Sequence, residues 1–361
     1  MDTSVLRRFC EGHARQRLLA LLGVVAVVLL AYSRTLGDPF VFDGVPLVGQ
    51  LRNLSWSEPG RWLRRPPRTI GYLTFDLQHS LHGLWLPGYH LVNIAIHATS
   101  ACLLGLLVEG TIARAAPAVS PLRRQLIALF AAVLFGLHPL GTHVVTYLYQ
   151  RFEALMAMFF LASIWCLLRS VQSTRAAAWL AASGGCFLLS LASKEVAVVL
   201  PVVLLLFDRC YLSASWADLW RRRGWFHGLL LGVVAAGVAF VLANIKHYQH
   251  GGIFFYTRVP LQYYLGTQPE IVGHYLWTAV WPWSLCTDPA WPAQFDPLRL
   301  VAAWSILVLA LAGLAWLWRW DKRLAFLPLA AGLVLVPTSS VVAVIDLAFE
   351  HRAYLANASV M

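Results

Sequence analysis

Charge is what this sequence has least of. Only 12% of its 361 residues are charged and 59% are hydrophobic, against roughly 25% charged in an average soluble protein. That leaves too few polar side chains to cover a water-facing surface, so an ordinary soluble domain is excluded. Lysine is scarcer still: of 28 basic residues, only Lys194, Lys246 and Lys322 are lysine. The six cysteines (Cys10, Cys102, Cys166, Cys186, Cys210, Cys286) are scattered, mostly inside apolar runs, with no CxxC spacing. They indicate neither a disulfide framework nor a zinc site. Internal repeats, low-complexity tracts and a continuous basic patch are also missing, so nucleic acid is not an expected partner.

In their place stand repeated apolar runs of about 18 to 23 residues, closed by arginines or by Gly and Pro. That length crosses a hydrocarbon core roughly 30 Å thick. No water reaches backbone polar groups there, so the runs must be helices. The sequence therefore predicts an all-α polytopic membrane protein, one transmembrane domain over 1–361 with about nine crossings. They fall near 17–36, 88–109, 125–146, 152–170, 176–193, 195–212, 224–244, 299–319 and 323–345. The first run follows Arg7, Arg8, Arg15 and Arg17 as a signal peptide would, but the same hydrophobic rhythm continues to the far end, so it reads as the first crossing.

Arginines mark the sides. Arg114, Arg123 and Arg124, then Arg169 and Arg175, then Arg209 with Arg221 to Arg223, then Arg319, Lys322 and Arg323 belong in cytoplasmic loops. This places the N-terminus in the cytoplasm and a long first loop, 37–87, outside. The short segment Ile271 to Trp283, with Pro282 and three tryptophans, reads as an interfacial or re-entrant helix, because a full crossing there would put the cluster 319–323 outside. The formal net charge of +11 fits either a compositional bias toward Arg, Ala and Leu or phosphate binding, for which the planar guanidinium is better suited than an ammonium.

With this orientation the unusual polar groups gather near the external face: Asp43, the arginines of 52–68, His90, His138, Arg151, Lys194 with Glu195, Arg258, Asp288 and Glu350 to Arg352. Asp43, in Asp38-Pro-Phe-Val-Phe-Asp43-Gly44, is placed either to cap the next short helix or to accept a proton from an acceptor hydroxyl at the membrane surface. Arg52, Arg61, Arg64, Arg65 and Arg68 form either a solvated basic face touching anionic lipid headgroups or a cradle for a lipid-linked phosphate. Tyr89-His90 opens the second crossing, and His90, Asn93 and His97 share one face of it, for interhelical hydrogen bonds or for a wet cavity. Metal ligation is not supported, since no carboxylate or third histidine joins them at ligand spacing. His138-Pro139-Leu-Gly141-Thr-His143 breaks the third crossing where it leaves the membrane, and Thr146-Tyr147 through Gln150-Arg151 and Glu153 follow. Ser193-Lys194-Glu195 is a tight turn. Glu350-His351-Arg352 beside a membrane helix is costly unless wet or paired.

In order, Phe42-Asp43, Arg65-Pro66, Tyr89-His90 to Asn93, His138-Pro139, Thr146-Tyr147 to Gln150-Arg151, Ser193-Lys194-Glu195, Thr267-Gln268, Asp288, Ser339-Ser340 and Glu350-His351-Arg352 with Tyr354 resemble the membrane O-mannosyltransferase-like proteins of the GT-C superfamily, in the transmembrane-and-tetratricopeptide-repeat branch and its bacterial relatives. The resemblance implies a GT-C-like transmembrane helix bundle with a long first external loop, and an inverting glycosyltransferase that takes sugar from a polyprenyl phosphate. It implies an inner-membrane protein whose active face is periplasmic, with an acceptor protein Ser/Thr or glycan as partner. Asp43 corresponds to the family's first-loop acidic residue, the base. Arg65, Arg258 and Arg352 are candidates for the donor phosphate. Tyr89, His90, Asn93, His97, His138, His143, Gln150, Arg151, Lys194, Glu195, Gln268, Glu350 and His351 are candidates for the cavity wall. The sequence departs from the pattern at Gly44, where many relatives carry a second acidic residue, and at His143, where some carry Glu; metal dependence and exact substrate stay open for that reason, with no cofactor required. The repeat domain that often follows in relatives has no counterpart here, so the reading is of a short member or a fragment. A lipid-linked sugar transporter and a non-catalytic assembly factor are the competing functions; one-sided clustering of the polar groups argues against the first, and a need for an ionised Asp43 would argue against the second.

Overall fold

The computed structural model describes residues 3–52, 68–244, 260–283, 285–286, 289, 291, 296–339 and 347–361, with side chains from Arg15 onward. Among these the regular structure is helical, with no strand. In chain order the α-helices are α1 (Thr3–Tyr32), α2 (Gly44–Arg52), α3 (Thr69–His82), α4 (Leu86–Ala115), α5 (Pro121–Leu137), α6 (Thr142–Thr146), α7 (Arg151–Ser170), α8 (Ala176–Leu191), α9 (Leu200–Phe207), α10 (Trp216–Ala243), α11 (Leu261–Val280), α12 (Pro297–Trp320), α13 (Lys322–Leu335) and α14 (Ala353–Asn357).

Among the described residues, five helical stretches are long and apolar enough to cross a membrane: Arg15–Gly37, Leu86–Ala115, Leu148–Ser170, Trp216–Ala243 and Pro297–Trp320. The chain is an integral membrane protein. A sixth candidate is α5 with Pro139–Thr146, bent by 51°. The cause is local: the residue before a proline avoids the helical region, and His138 is extended at φ −65°, ψ 130°. The expected crossings at 176–193, 195–212 and 323–345 are shorter or broken. α8 has 16 residues, α9 has 8 and passes into a wide turn at 208–212, and α13 has 14 with Pro328 inside. The turn after α8 pairs Lys194 with Glu153 at the start of α7, while α9 leads to Leu212, whose carbonyl accepts from Arg114 at the end of α4.

Close approach holds the centre. In lipid, where apolar side chains gain little by leaving solvent for a neighbour, helix pairing depends on small residues and interhelical hydrogen bonds. Ser163 and Ser183 each donate to the other's carbonyl at 2.8 Å, and Ser190 donates to the Met156 carbonyl at 2.8 Å, so α7 and α8 are tied along their length. Gly105 lets α4 meet α5 closely: a Cβ there would lie 3.2 Å from the Ala128 carbonyl. α12 buries no residue, and its Val301, Ile306, Leu309 and Trp316 face outward, as expected of a helix surrounded by lipid.

α11 takes in residues 271–280 of the segment expected to be interfacial. Both its ends meet the same end of the bundle: Tyr264 donates to the Thr338 carbonyl beyond α13, and Tyr275 accepts the Phe349 N–H at 2.9 Å. These bonds tie α11 to the residues after α13 and to the segment 347–361, at the end of the bundle where α2 and α3 also lie. This is the end that carries the polar motifs.

Candidate active site

After α1 the chain turns through Asp38-Pro39-Phe40-Val41-Phe42-Asp43 into α2. Phe42 has φ 46°, a left-handed conformation that an aromatic residue adopts only against steric cost. Its ring is 69% exposed, so burial of the ring does not offset that cost. What the turn gains is a contact with the segment after α6: the Phe42 ring meets Tyr147 edge-on at 5.8 Å, and the Asp43 N–H donates to Tyr147 Oη at 2.9 Å. Burial, then the nearby Asp43 carboxylate, push the Tyr147 hydroxyl up to about 12. It stays protonated beside the carboxylate. The Asp43 side chain is exposed. His90 Nε2 donates to the Asp38 carbonyl at 3.0 Å and pins the start of the loop to α4.

Beside this turn is a cleft of about 350 Å³ lined by Asp38, Phe42, Pro139, His143, Tyr147 and Glu350 among others. Asp43 does not line it but adjoins two residues that do. A column of rings starts at one wall, where Tyr147 and His143 line the cleft, and continues to His351 and Phe349, which do not line it. Tyr147 stacks on His143 at 5.3 Å, His143 meets His351 at 5.3 Å, and His351 stacks on Phe349 at 5.1 Å. Glu350 is 4% exposed; its Oε1 accepts the Cys286 N–H at 2.8 Å. Burial raises its carboxyl above the ordinary range, against the opposing pull of that hydrogen bond. The His351 ring is held neutral, first by burial and then by the positive charges of Lys194 and Arg352.

The cations at this end are largely matched by protein groups. Lys194 Nζ donates to Glu153 Oε2 at 2.6 Å in a buried pair, and Arg68 donates to Glu195 at 3.1 Å. Arg352 donates to the Leu347 carbonyl at 3.2 Å and lies over the Phe349 ring. Arg65, Arg258 and Asp288 lie outside the described residues.

Several other residues read from sequence as cavity wall take no part in this cleft. Arg151 is 0% exposed. Its guanidinium donates to Asn93 Oδ1 (2.7 Å), Gln78 Oε1 (2.5 Å) and the Tyr89 carbonyl (2.9 Å), and lies 4.0 Å over the Phe75 ring. That clamp, built from neutral acceptors, fixes α3 against α4 and α7. His97 is buried in the core: Nε2 donates to the Gly136 carbonyl at 3.1 Å, so Nδ1 accepts from the Tyr354 hydroxyl at 2.6 Å. It bolts α14 to α4 and α5. His138 accepts the Leu140 N–H through Nδ1 and stabilises the break after α5. Gln150 precedes α7, half-buried, without a side-chain cap. Gln268 is buried on α11, and neither its amide oxygen nor its nitrogen has a hydrogen-bond partner among the described residues. Among the described residues no group of three His, Cys, Asp or Glu could hold a metal ion.

Comparison with known proteins agrees with the sequence motifs. The chain resembles protein O-mannosyl-transferases. It is 28% identical over 234 residues to protein O-mannosyl-transferase Tmtc3 of Drosophila melanogaster, covering 56% of this chain and 25% of that protein. It is 30% identical over 178 residues to protein O-mannosyl-transferase Tmtc1 of the same organism, covering 44% and 18%. To protein O-mannosyl-transferase TMTC3 of Homo sapiens it is 27% identical over 185 residues, covering 47% and 19%. The matches thus span a quarter or less of these relatives' length. No family model matches the chain, and no solved structure matches it.

The O-mannosyl-transferase resemblance brings Asp43 forward on motif order; the structure adds Tyr147 and Asp38, which sequence reasoning did not single out as site residues. The signal for Tyr147 was its place in Thr146-Tyr147, just past the broken crossing. Sequence reasoning also treated Arg223 only as a loop charge, and it is half of a buried network at the other end. Arg223 forms a two-point pair with Asp208 at 2.6 and 2.7 Å, and His227 and Ser213 complete the carboxylate's shell at 2.9 and 2.6 Å.

Proposed function

We propose that this chain is a membrane glycosyltransferase that moves a sugar from a polyprenyl-phosphate donor to a hydroxyl of an external acceptor protein, with inversion. Mannose is the sugar named in its relatives. The observation that carries the reading is the strained Phe42-Asp43 turn, held by Tyr147 at the edge of a ring-lined cleft on one end of a membrane bundle. In this reading the Asp43 carboxylate takes the acceptor hydroxyl's proton as its oxygen attacks the anomeric carbon, and the bond to the phosphate breaks with the electron pair leaving on phosphate. Arg65, Arg258 and Arg352 bind the phosphate through charge-assisted bonds. The reaction requires no covalent intermediate. In this reading the unit has about nine crossings, its N-terminus is cytoplasmic, α11 lies on the external face, and in a bacterial cell that face is periplasmic.

The test is transfer of labelled mannose from polyprenyl phosphate mannose to a Ser/Thr peptide by purified protein in liposomes. The expected result is a labelled peptide with inverted anomeric configuration. Movement of intact lipid-linked sugar across the bilayer without transfer would replace this reading with a transporter, and neither event in folded protein would leave an assembly factor.

A further inference from the structure

The ring column holds polar atoms that the proposed chemistry does not use. Nδ1 and Nε2 of His143 and Nδ1 of His351 are buried and have no hydrogen-bond partner among the described residues. His351 is 7% exposed, so open solvent does not serve it. Leaving a buried donor or acceptor unmatched costs about 1 to 3 kcal/mol, and three such atoms meet where two rings touch at 5.3 Å. His143 lines the cleft, as does Glu350, which directly precedes His351 in sequence, and the described residues offer Glu350 only the Cys286 N–H at Oε1.

Elsewhere among the described residues, the buried histidines His90, His97, His138 and His227 each bond the protein on at least one nitrogen, while half-buried His274, like His143, leaves Nε2 without a partner. His97 is matched on both nitrogens, and His227 bonds Asp208. His143 is matched on neither. Neutral imidazole offers one donor and one acceptor, the complement of a sugar hydroxyl, which is both. The flat face of Tyr147, stacked parallel to His143 at 12°, continues the same wall, and an apolar ring face beside paired donors and acceptors suits the two faces of a hexose. A phosphate, an acceptor only, would leave the acceptor nitrogens unmatched and face the Glu350 carboxyl.

We infer that His143 and His351, with the Tyr147 ring and Glu350, form a subsite that holds the hexose ring of the lipid-linked donor through its hydroxyls, separate from the arginines that hold its phosphate. This rests on the proposed donor class. His143 and His351 are positioning residues here, since neither handles the proton that is transferred.

The experiment compares binding of polyprenyl phosphate and polyprenyl phosphate mannose to the purified protein in nanodiscs, for the unmodified protein, His143→Phe, and His143→Phe with His351→Phe. Phenylalanine keeps the ring wall and removes the nitrogens. The unmodified protein should favour the mannosylated lipid by about tenfold or more, as one or two well-placed hydrogen bonds give. The preference should fall several-fold in the single variant and vanish in the double, with affinity for the bare lipid phosphate unchanged. Thermal unfolding should occur at or above the unmodified temperature, because no protein hydrogen bond is lost; a marked fall would show the nitrogens to be structural and overturn the subsite. His143→Gln, which restores a donor and an acceptor, should recover part of the preference. Equal binding of both lipids by the unmodified protein, retained preference in the double variant, or lost affinity for acceptor peptide instead would each overturn the subsite and leave the transferase reading intact. Binding of neither lipid would overturn both.

Discussion

The two ends of the bundle both leave some buried polar atoms unpartnered, but they hold their buried charges differently. At the end that carries Arg114 and Arg323, Asp208 is fully buried and every hydrogen bond it accepts comes from the protein: Arg223 twice, Ser213 and His227. Arg114 and Arg323 cap the carbonyls of Tyr211, Leu212 and Ala115. At the other end, Lys194 and Arg68 are paired, yet His143, His351 and Gln268 hold polar atoms with no partner among the described residues, and Phe42 is strained. His227 Nδ1 and Arg209 Nε are unpartnered at the first end as well, so what sets the second end apart is that its open atoms lie beside a strained turn and a cleft.

The largest effect should come from Asp43→Asn. Asparagine keeps the shape and most hydrogen bonding but cannot take a proton, so transfer should fall by about 10² to 10⁴ while thermal unfolding is unchanged. Activity within a few-fold of the original would make Asp43 a loop residue. Glu350 would then be the next carboxylate to test, because Glu153 is occupied by Lys194.

The opposite outcome is expected at the other end. Asp208→Ala leaves Arg223 buried without its partner, which should cost about 3 to 5 kcal/mol of stability, seen as earlier unfolding in detergent micelles. Transfer per folded molecule should stay within a few-fold. A specific loss of transfer with full stability would erase the distinction between the ends.

A smaller change tests how the turn is held. Tyr147→Phe removes the acceptor of the Asp43 N–H and keeps the ring, so the loss is one hydrogen bond, about 1 kcal/mol. Transfer rate should drop several-fold with donor affinity little changed; equal loss in donor binding would place Tyr147 in the donor site alone.

The smallest effect is in pH dependence. The Glu350 carboxyl sits above the free value of 4.5 in the folded protein, so the folded state holds its proton more tightly than the unfolded chain does. Its contribution to stability is complete below 4.5 and is lost as pH rises toward the folded value. Glu350→Gln should remove that slope in unfolding experiments run from pH 4 upward. A slope unchanged by the substitution would assign it to other groups.

Much of the fold is legible in sequence because the bilayer enforces it. Apolar runs of crossing length have no alternative to helix, and His138-Pro139 announces the bend. What the runs do not show is length once packed: α8 and α13 look like full crossings by composition, but the chain turns at Ser193-Lys194 and at Pro337 because those polar and proline residues are met first. The site was legible as a set of motifs and not as an arrangement. Arg151 and His97 carry the same marks in sequence as His143, being polar residues in or beside a membrane helix. The first two find partners on distant helices, 58 residues away at Asn93 and 257 away at Tyr354. No local pattern contains that information.

The sequence by itself determined that this is a helical membrane protein, which residues can sit in lipid, and which stretches resemble O-mannosyl-transferases, because hydropathy and motif order are properties of the chain in one dimension. Only the tertiary structure decided which buried polar groups are satisfied. It closed Asp208 within a shell of donors, made Arg151 a clamp, and left His143 open beside a cleft with Tyr147 holding Asp43 at its edge. The physical reason is that a hydrogen bond needs two groups within about 3 Å, and here the two come from helices far apart in the chain.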